Sequence, residues 1–392
     1  MIIRKILHLD LDAFFCSVEE LLDPTLVGKA FVVGGNPQGR GVIVSASYAA
    51  RQFGVRSAMP SGRALKLCPN LIFVRTNHRL YSDYSDKVMD ILRDISPLVQ
   101  QVSVDEAFID VTDIQKPIER ICIDLQKRVD QETRLPISIG AGTSKMIVKI
   151  ANNIGKSRVR TGQAPRSINI IKPGEEAAFL APLDIQEMWG IGPKSADRLR
   201  SRGYKTIGDL ASADMAELTE YFGKNAEDMQ RRASGIDHSP VHTSREAKSV
   251  SNEITFDEDS DDIEFLKSKI MALSDKVAWR LRQDNLAGKV ISIKIRYSDF
   301  TTFTRQKALA NHTNVGDEIF ETAYELFLVN FTHGRPVRLL GVGASNLEEP
   351  FTQLELFGDN TQKKQDLVQA VDLLRDKFGK NVIVRANQLK KQ

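Results

Sequence analysis

The sequence predicts an α+β protein of several domains, and three observations carry that expectation. At 392 residues the chain is long enough for roughly two to four domains. Its first part, once an insertion at about 24–76 is set aside, reads strand–helix–strand–strand–helix–strand. That is the split βαβ order of an antiparallel, ferredoxin-like sheet. A second run of the same order, βαββαβ, fills residues 249–345.

Residues 2–11, rich in Ile and Leu, read as a strand, and residues 14–22 have helical spacing that stops before Pro24. Two short strands, Ala30–Val33 and Val42–Val44, flank a glycine-rich turn from Gly34 to Gly41. No Gly-Lys-Ser/Thr opens a helix after it, so it is not a P-loop. A short helix follows at Tyr48–Phe53 and ends at Gly54. Ser45 and Ser47 precede that helix, and Tyr48 and Arg51 share one of its faces. This group is either a phosphate grip or an N-cap beside a surface arginine. Residues 61–68 read as helix, Leu71–Val74 as strand, and 78–95 as a longer amphipathic helix. Beyond an acidic hairpin come a helix at 115–132, a strand at Ile137–Ala141 and a helix at Ser144–Asn153. Lys145, Lys149 and Lys156 lie along or just past that last helix.

Gly190-Ile191-Gly192-Pro193-Lys194 then joins two helical stretches. It is either a tight connection or a helix-hairpin-helix that offers backbone amides to a DNA phosphate. Arg198, Arg200, Arg202 and Lys205 beside it favour DNA. Residues 237–248 lose apolar periodicity and read as an interdomain linker. Strands at 249–256, 289–297, 301–308 and 337–345 alternate with helices at 263–285 and 316–328. Lys294, Arg296, Arg305 and Lys307 give these strands a basic bias that suits a nucleic-acid backbone, a solvated sheet face being the alternative. Gln353-Leu354-Glu355-Leu356-Phe357, in a turn-rich tail, is either a peptide that docks in a partner's pocket or an anchor on its own domain. A final amphipathic helix covers about 363–378.

With 42% hydrophobic and 27% charged residues, the chain has the composition of a globular protein. A formal net charge of +3 leaves any nucleic-acid affinity to local basic patches. Cys16, Cys68 and Cys122 are far apart and form no Cys-x-x-Cys pair, which argues against a disulfide framework or structural zinc and fits a reducing compartment. There is no signal-peptide core and no apolar run near the ~18–20 residues of a membrane span. The expectation is a cytoplasmic protein.

The chemistry centres on Ser103-Val104-Asp105-Glu106-Ala107-Phe108-Ile109-Asp110. Two adjacent acids between apolar residues repel one another and lose hydration unless a cation neutralises them. A solvated turn is the plain alternative. A second acidic strand, Ile6-Leu7-His8-Leu9-Asp10-Leu11-Asp12, favours a divalent-metal site built where the two converge. Strand alternation places His8, Asp10 and Asp12 on one face and leaves the choice among them open.

The ordered set of His8–Phe15, Tyr48-Ala49-Ala50-Arg51, Ser103–Ala107 and Arg338-Leu339-Leu340-Gly341-Val342-Gly343 resembles the Y-family DNA polymerases, of the bacterial DNA polymerase IV (DinB) type. The resemblance runs to about residue 346, with a similar tail in some members. It implies a right-hand polymerase with a ferredoxin-like palm at 1–23 and 77–165 and small fingers at 24–76. A helix-hairpin-helix thumb at 166–236, a linker at 237–248, a βαββαβ little finger at 249–346 and a tail at 347–392 complete it. It implies two Mg²⁺ ions held by Asp10, Asp105, Glu106 and the Leu11 carbonyl, with the three acids catalytic. Ser45, Tyr48, Arg51 and Lys156 are implied to bind the incoming nucleotide, and Phe15 to be the steric gate against a 2′-hydroxyl. Gly190, Gly192, Lys194, Lys294, Arg296 and Arg305 are the implied DNA contacts. Gln353, Leu354, Leu356 and Phe357 are implied to bind a sliding clamp. One departure touches Lys156: relatives usually carry Lys-Pro-Asn-Gly after this helix, whereas this chain reads Lys156-Ser157-Arg158-Val159-Arg160-Thr161-Gly162, so Arg158 and Arg160 stand as alternative cations. The implied activity is low-fidelity, template-directed addition of dNTPs to a primer 3′-hydroxyl in translesion synthesis. Proofreading is not expected, and the protein is expected to act as a monomer. A noncatalytic DNA scaffold is the rival reading, and loss of a metal carboxylate would mark it; all three are present.

Overall fold

The computed structural model describes residues 3–159, 162–244 and 246–350, with 368, 370–374, 377–379 and 382 beyond them. The chain divides into two compact units, Met1–Arg245 and Glu246–Gln392.

The first unit opens with β1 (Ile6–Leu11) and α1 (Phe14–Leu22). The insertion then folds as β2 (Phe31–Gly34), β3 (Ile43–Ala46), α2 (Tyr48–Gln52), α3 (Ser61–Leu67) and β4 (Ile72–Val74). Its three strands form a separate sheet, β3-β2-β4. Alternation along β2 divides the burial: Val32 belongs to the insertion's own core, while Phe31 and Val33 join the main one. The chain returns through α4 (His78–Ile95), β5 (Val99–Gln101), β6 (Glu106–Asp110), α5 (Ile118–Thr133), β7 (Ile137–Gly142), α6 (Lys145–Arg158) and β8 (Ile168–Ile170). The main sheet has the order β5-β6-β1-β7-β8. Without β8 this is the ferredoxin-like order, with β1 central and antiparallel to both β6 and β7.

Leu7, Leu9 and Leu11 point to the large core, shared with Val88 and Leu92 of α4 and Leu125 and Val129 of α5. The other face receives α6. That helix runs directly over Gly140, where a Cβ would lie 1.9 Å from the Val148 carbonyl oxygen, so only glycine permits the approach. The sequence reading ended this helix at Asn153 and the sheet at β7. The helix in fact continues through Arg158, and β8 adds a strand parallel to β7. Three residues of partial burial gave too short a pattern to read.

Met146, Ile147, Ile150 and Ala151 of α6 also pack into a helical core. Its helices are α7 (Glu176–Leu180), α8 (Pro193–Ser201), α9 (Ile207–Ala211), α10 (Met215–Phe222) and α11 (Ala226–Ala233), with a 3₁₀ turn at Ile185–Glu187 before α8. The expected linker is fixed at its start. The Asp237 carboxylate accepts from the Met146 N–H at 3.1 Å, Arg4 donates to the Ser239 carbonyl at 3.0 Å, and the His242 N–H donates to Gln100 at 3.1 Å. Val241 packs against Ile6, Phe108 and Val148.

The second unit holds β9 (Ser249–Ser260), α12 (Ile263–Gln283), β10 (Ala287–Tyr297), β11 (Thr302–Thr313), α13 (Gly316–Asn330) and β12 (Val337–Glu348). Its antiparallel sheet has the order β11-β10-β12-β9. The element order repeats that of the first unit, but here the first strand lies at an edge rather than beside the third. Ile291, Ile293, Ile295, Leu340 and Val342 bury one sheet face in a common core with α12 and α13.

Candidate active site

Asp10 at the end of β1 and Glu106 at the start of β6 are directly opposed in register. Asp105 precedes β6, and its carbonyl accepts from the Leu11 N–H at 2.9 Å, which pins the two strand ends together. Its carboxylate accepts from Ser103 Oγ at 2.5 Å. Among the described residues no three His, Cys, Asp or Glu side chains are gathered as a metal cluster. Asp10 and Glu106 adjoin, while Asp105 is held by Ser103 at the rim of the same site.

The neighbouring cations come from α6, whose Lys145, Lys149, Asn152 and Lys156 follow helical spacing along one stripe. Lys149 Nζ donates to Glu106 Oε1 at 2.5 Å and lies 3.4 Å from His8 Nε2. Lys156 pairs with Asp10 and lies 3.2 Å from Asp12 Oδ1. His8 is wholly buried, and Asn152 Nδ2 lies 2.9 Å from its Nδ1. Burial, then Lys149 and Lys156, holds His8 well below the usual imidazole range. It is therefore held neutral. Burial raises the Asp10 carboxyl, with Lys156 opposing that rise.

A cavity of about 200 Å³ brings together Asp10, Leu11 and Asp105 with Phe15, Ser45, Arg51 and Lys156. Phe14 and Phe15 both border it, Phe14 buried in the main core and Phe15 half-buried against that core. The Phe15 ring stacks on Tyr81 at 4.0 Å between centroids and 15° between planes, and Tyr81 is fixed by Glu19 at 2.5 Å. Ala13, the residue before α1, holds the left-handed conformation at φ 47° that turns the chain into the helix. The Tyr48 hydroxyl is buried without a hydrogen-bond partner, and Arg51 lies over its ring at 4.6 Å. This unpaired hydroxyl, between the carboxylates of Asp12 and Asp10 and the cations Lys156 and Arg51, has a proton free to donate to a ligand. The hard oxygens of Asp10, Asp105, Glu106 and Leu11 likewise suit Mg²⁺. Arg158 is exposed at the end of α6, and Arg160 lies outside the described residues.

Gly190 has φ 103° and Gly192 caps α8, so both glycines shape the expected hairpin, although a 3₁₀ turn replaces its first helix. Lys194 is exposed, whereas Arg200 is paired with Asp184 and Arg202 with Glu220. In the second unit the basic residues divide between the two faces of the sheet. Lys294 and Arg296 stand on the face opposite Ile293 and Ile295, but Arg305 is in register with Ile293 and so lies on the helix side of edge strand β11. Lys307, two residues on, reaches Glu325 of α13 at 2.7 Å. The sequence cannot tell these faces apart without the strand register. Gln353, Leu354, Leu356 and Phe357 lie outside the described residues, as does most of the expected final helix.

Among solved structures, the chain is similar to a Y-family DNA polymerase chimera, Dbh-Dpo4(243-245)-Dbh, with a TM-score of 0.78 and 24% identity over 88% of this chain and 100% of that one. It is also similar to DinB from Sulfolobus solfataricus, with a TM-score of 0.59 and 25% identity over 87% and 98%. The fold is thus that of the Y-family DNA polymerases. Residues 9–153 match the impB/mucB/samB family, 173–204 the IMS family HHH motif, and 247–356 the family's C-terminal domain. DNA polymerase IV of Dehalococcoides mccartyi is 42% identical over 384 residues, 97% of this chain and 96% of its own length. That of Oceanobacillus iheyensis is 38% identical over 389 residues, 97% and 91%. The chain belongs to the DNA polymerase IV family, and its activity is DNA-directed DNA polymerisation. No helix among the described residues is long and apolar enough to cross a membrane.

Proposed function

We propose that this polymerase performs low-fidelity translesion synthesis, adding dNTPs to a primer 3′-hydroxyl with release of pyrophosphate and without proofreading. The observation that carries this reading is the single cavity shared by Asp10, Leu11 and Asp105 with Phe15, Ser45, Arg51 and Lys156. Asp10, Asp105, Glu106 and the Leu11 carbonyl would hold two Mg²⁺ ions. Such ions, when bound, activate the primer hydroxyl and stabilise the leaving pyrophosphate.

The protein's own groups do the rest. Arg51, Lys156, Ser45 and the free Tyr48 hydroxyl bind and orient the triphosphate, which converts much of the entropic cost of reaction into binding. Phe15, braced by Tyr81, closes the space under the sugar and excludes a 2′-hydroxyl. In this reading the main sheet is the palm, the insertion the fingers, the helical segment the thumb and the second unit the little finger. The Gly190–Lys194 turn and the open face of the second sheet contact primer–template DNA. Gln353, Leu354, Leu356 and Phe357 engage a sliding clamp, and the enzyme acts as a cytoplasmic monomer.

The test is primer extension on a template–primer duplex with Mg²⁺ and single dNTPs, comparing wild type with Glu106→Ala. Template-matched extension that collapses in the variant while DNA binding persists is the expected result. DNA binding without extension by wild type would favour the scaffold and defeat the catalytic assignments together.

A further inference from the structure

The residue just past β1 is a second acid that this chemistry does not use. Asp12 shares the face of Asp10, yet its side chain is wholly buried while that of Asp10 keeps 14% exposure. Asp10 and Lys156 line the cavity; Asp12 does not. An ion arriving through the cavity therefore meets Asp10 and not Asp12.

The oxygens of Asp12 are already occupied. Ser138 Oγ lies 2.9 Å from both, the Arg166 N–H donates to Oδ2 at 3.0 Å, and Lys156 Nζ stands 3.2 Å from Oδ1. A carboxylate so buried is stable only with hydrogen bonds and a cation, and Lys156 is that cation. Lys156 is divided between two acids, because it also pairs with Asp10. A divalent ion that takes Asp10 removes one of its two anchors. A lysine on a flexible four-carbon stem then holds its place only if the second anchor remains.

We propose that Asp12 is a positioning residue for the incoming nucleotide, retaining the Lys156 ammonium at the cavity wall while Asp10 serves the metal. Lys156 then meets the triphosphate already in place, with little ordering left to be done on binding. The same carboxylate holds the backbone of Arg166, so one group fixes both the last turns of α6 and the entry to β8. The proposal rests on the assignment of Lys156 to the triphosphate.

The experiment compares Asp12→Asn, Lys156→Met and the double variant. It measures KM and kcat for single-dNTP extension, the affinity of the enzyme–DNA complex for a nonhydrolysable dNTP, and thermal unfolding. Asp12→Asn is expected to weaken dNTP binding and raise KM about tenfold with kcat changed less than about twofold, and to add little in the Lys156→Met background. A folded Asp12→Asn variant with unchanged dNTP affinity overturns the proposal while leaving Lys156 its role. If Lys156→Met itself leaves the affinity unchanged, the reading of Lys156 fails first and takes this proposal with it. Should Asp12→Asn fail to fold, Ser138→Ala decides: it keeps the charge but loosens its orientation, and a KM raised about threefold supports the proposal while an unchanged one refutes it.

Discussion

Asp10 and Glu106 stand directly opposite one another across β1 and β6, and each has its own lysine from α6, Lys156 for Asp10 and Lys149 for Glu106. Neighbouring carboxylates in a partly desolvated site repel one another and favour protonation. The two lysines supply the opposing charge before any metal arrives. α6, which presents these lysines seven positions apart, thus sets a cation against each acid of the sheet's edge.

Removing Lys149 exposes that dependence. Its side chain is 16% exposed and that of Glu106 23%, so Lys149→Met leaves a mostly buried carboxylate without its partner. The expected loss is about 1–3 kcal/mol in urea unfolding. Lys149→Met/Glu106→Gln should recover much of it, because the amide needs no counter-charge. Added Mg²⁺ should stabilise the single variant more than the double one. A cycle with no coupling between the two positions would show that Lys149 merely solvates the surface.

Phe15 owes its position to a stacked ring, which makes a distinct prediction. Phe15→Ala should raise ribonucleotide insertion by about two orders of magnitude or more, measured as the ratio of kcat/KM for rNTP and dNTP. Tyr81→Ala removes the surface on which Phe15 lies and should relax the same ratio by about tenfold. Tyr81→Phe deletes only the hydroxyl that Glu19 accepts and should leave selectivity nearly intact. Equal ratios in wild type and Tyr81→Ala would mean that Phe15 is held by its own helix.

The cysteines predict a response to pH. Burial pushes the Cys16 thiol up to about 12 despite hydrogen bonds from Ser45 and Val33, and burial pushes Cys122 to about 12 as well. The folded values lie above that of an unfolded thiol, about 8.5, so the stability they contribute is complete below that pH and drains as pH rises toward about 12. Unfolding by urea should therefore show an alkaline loss that Cys16→Ala reduces. Thiol reagents should label none of the three buried cysteines in the native protein at neutral pH and all three in denaturant. Fast labelling of the native protein would contradict this burial.

Much of the fold was legible because alternation and helical spacing are strong in the main elements. The acid-tipped strands were visible from Asp10, Asp105 and Glu106 alone, and the expected helices 14–22 and 78–95 match the structure. Other features depend on contacts between distant segments. Strand β8 is only three residues long, and the anchoring of 237–242 relies on partners as remote as Arg4 and Gln100. Asn152 could have been found from the spacing 145, 149, 152 and 156, a polar stripe that already holds the three lysines. What they face, and that Asp12 is sealed off, required the register of β1.

The second unit offers the final prediction, and it follows from the same issue of register. Lys294 and Arg296 share the open face of the sheet, where Gly341 is paired with Lys294. Lys294 is held by Glu253 at 2.7 Å, so binding a phosphate there means exchanging one anion for another. Arg305 is on the opposite side, its guanidinium over Phe303 at 5.0 Å. If DNA lies against the open face, Lys294→Ala/Arg296→Ala should reduce the slope of log affinity against log salt by about 1–2. Arg305→Ala should change it by much less, and Glu253→Gln should tighten binding modestly by freeing Lys294. Fluorescence anisotropy of a labelled primer–template across a salt series separates these cases. A slope that falls with Arg305→Ala and not with the pair would put the DNA along the β11 edge instead.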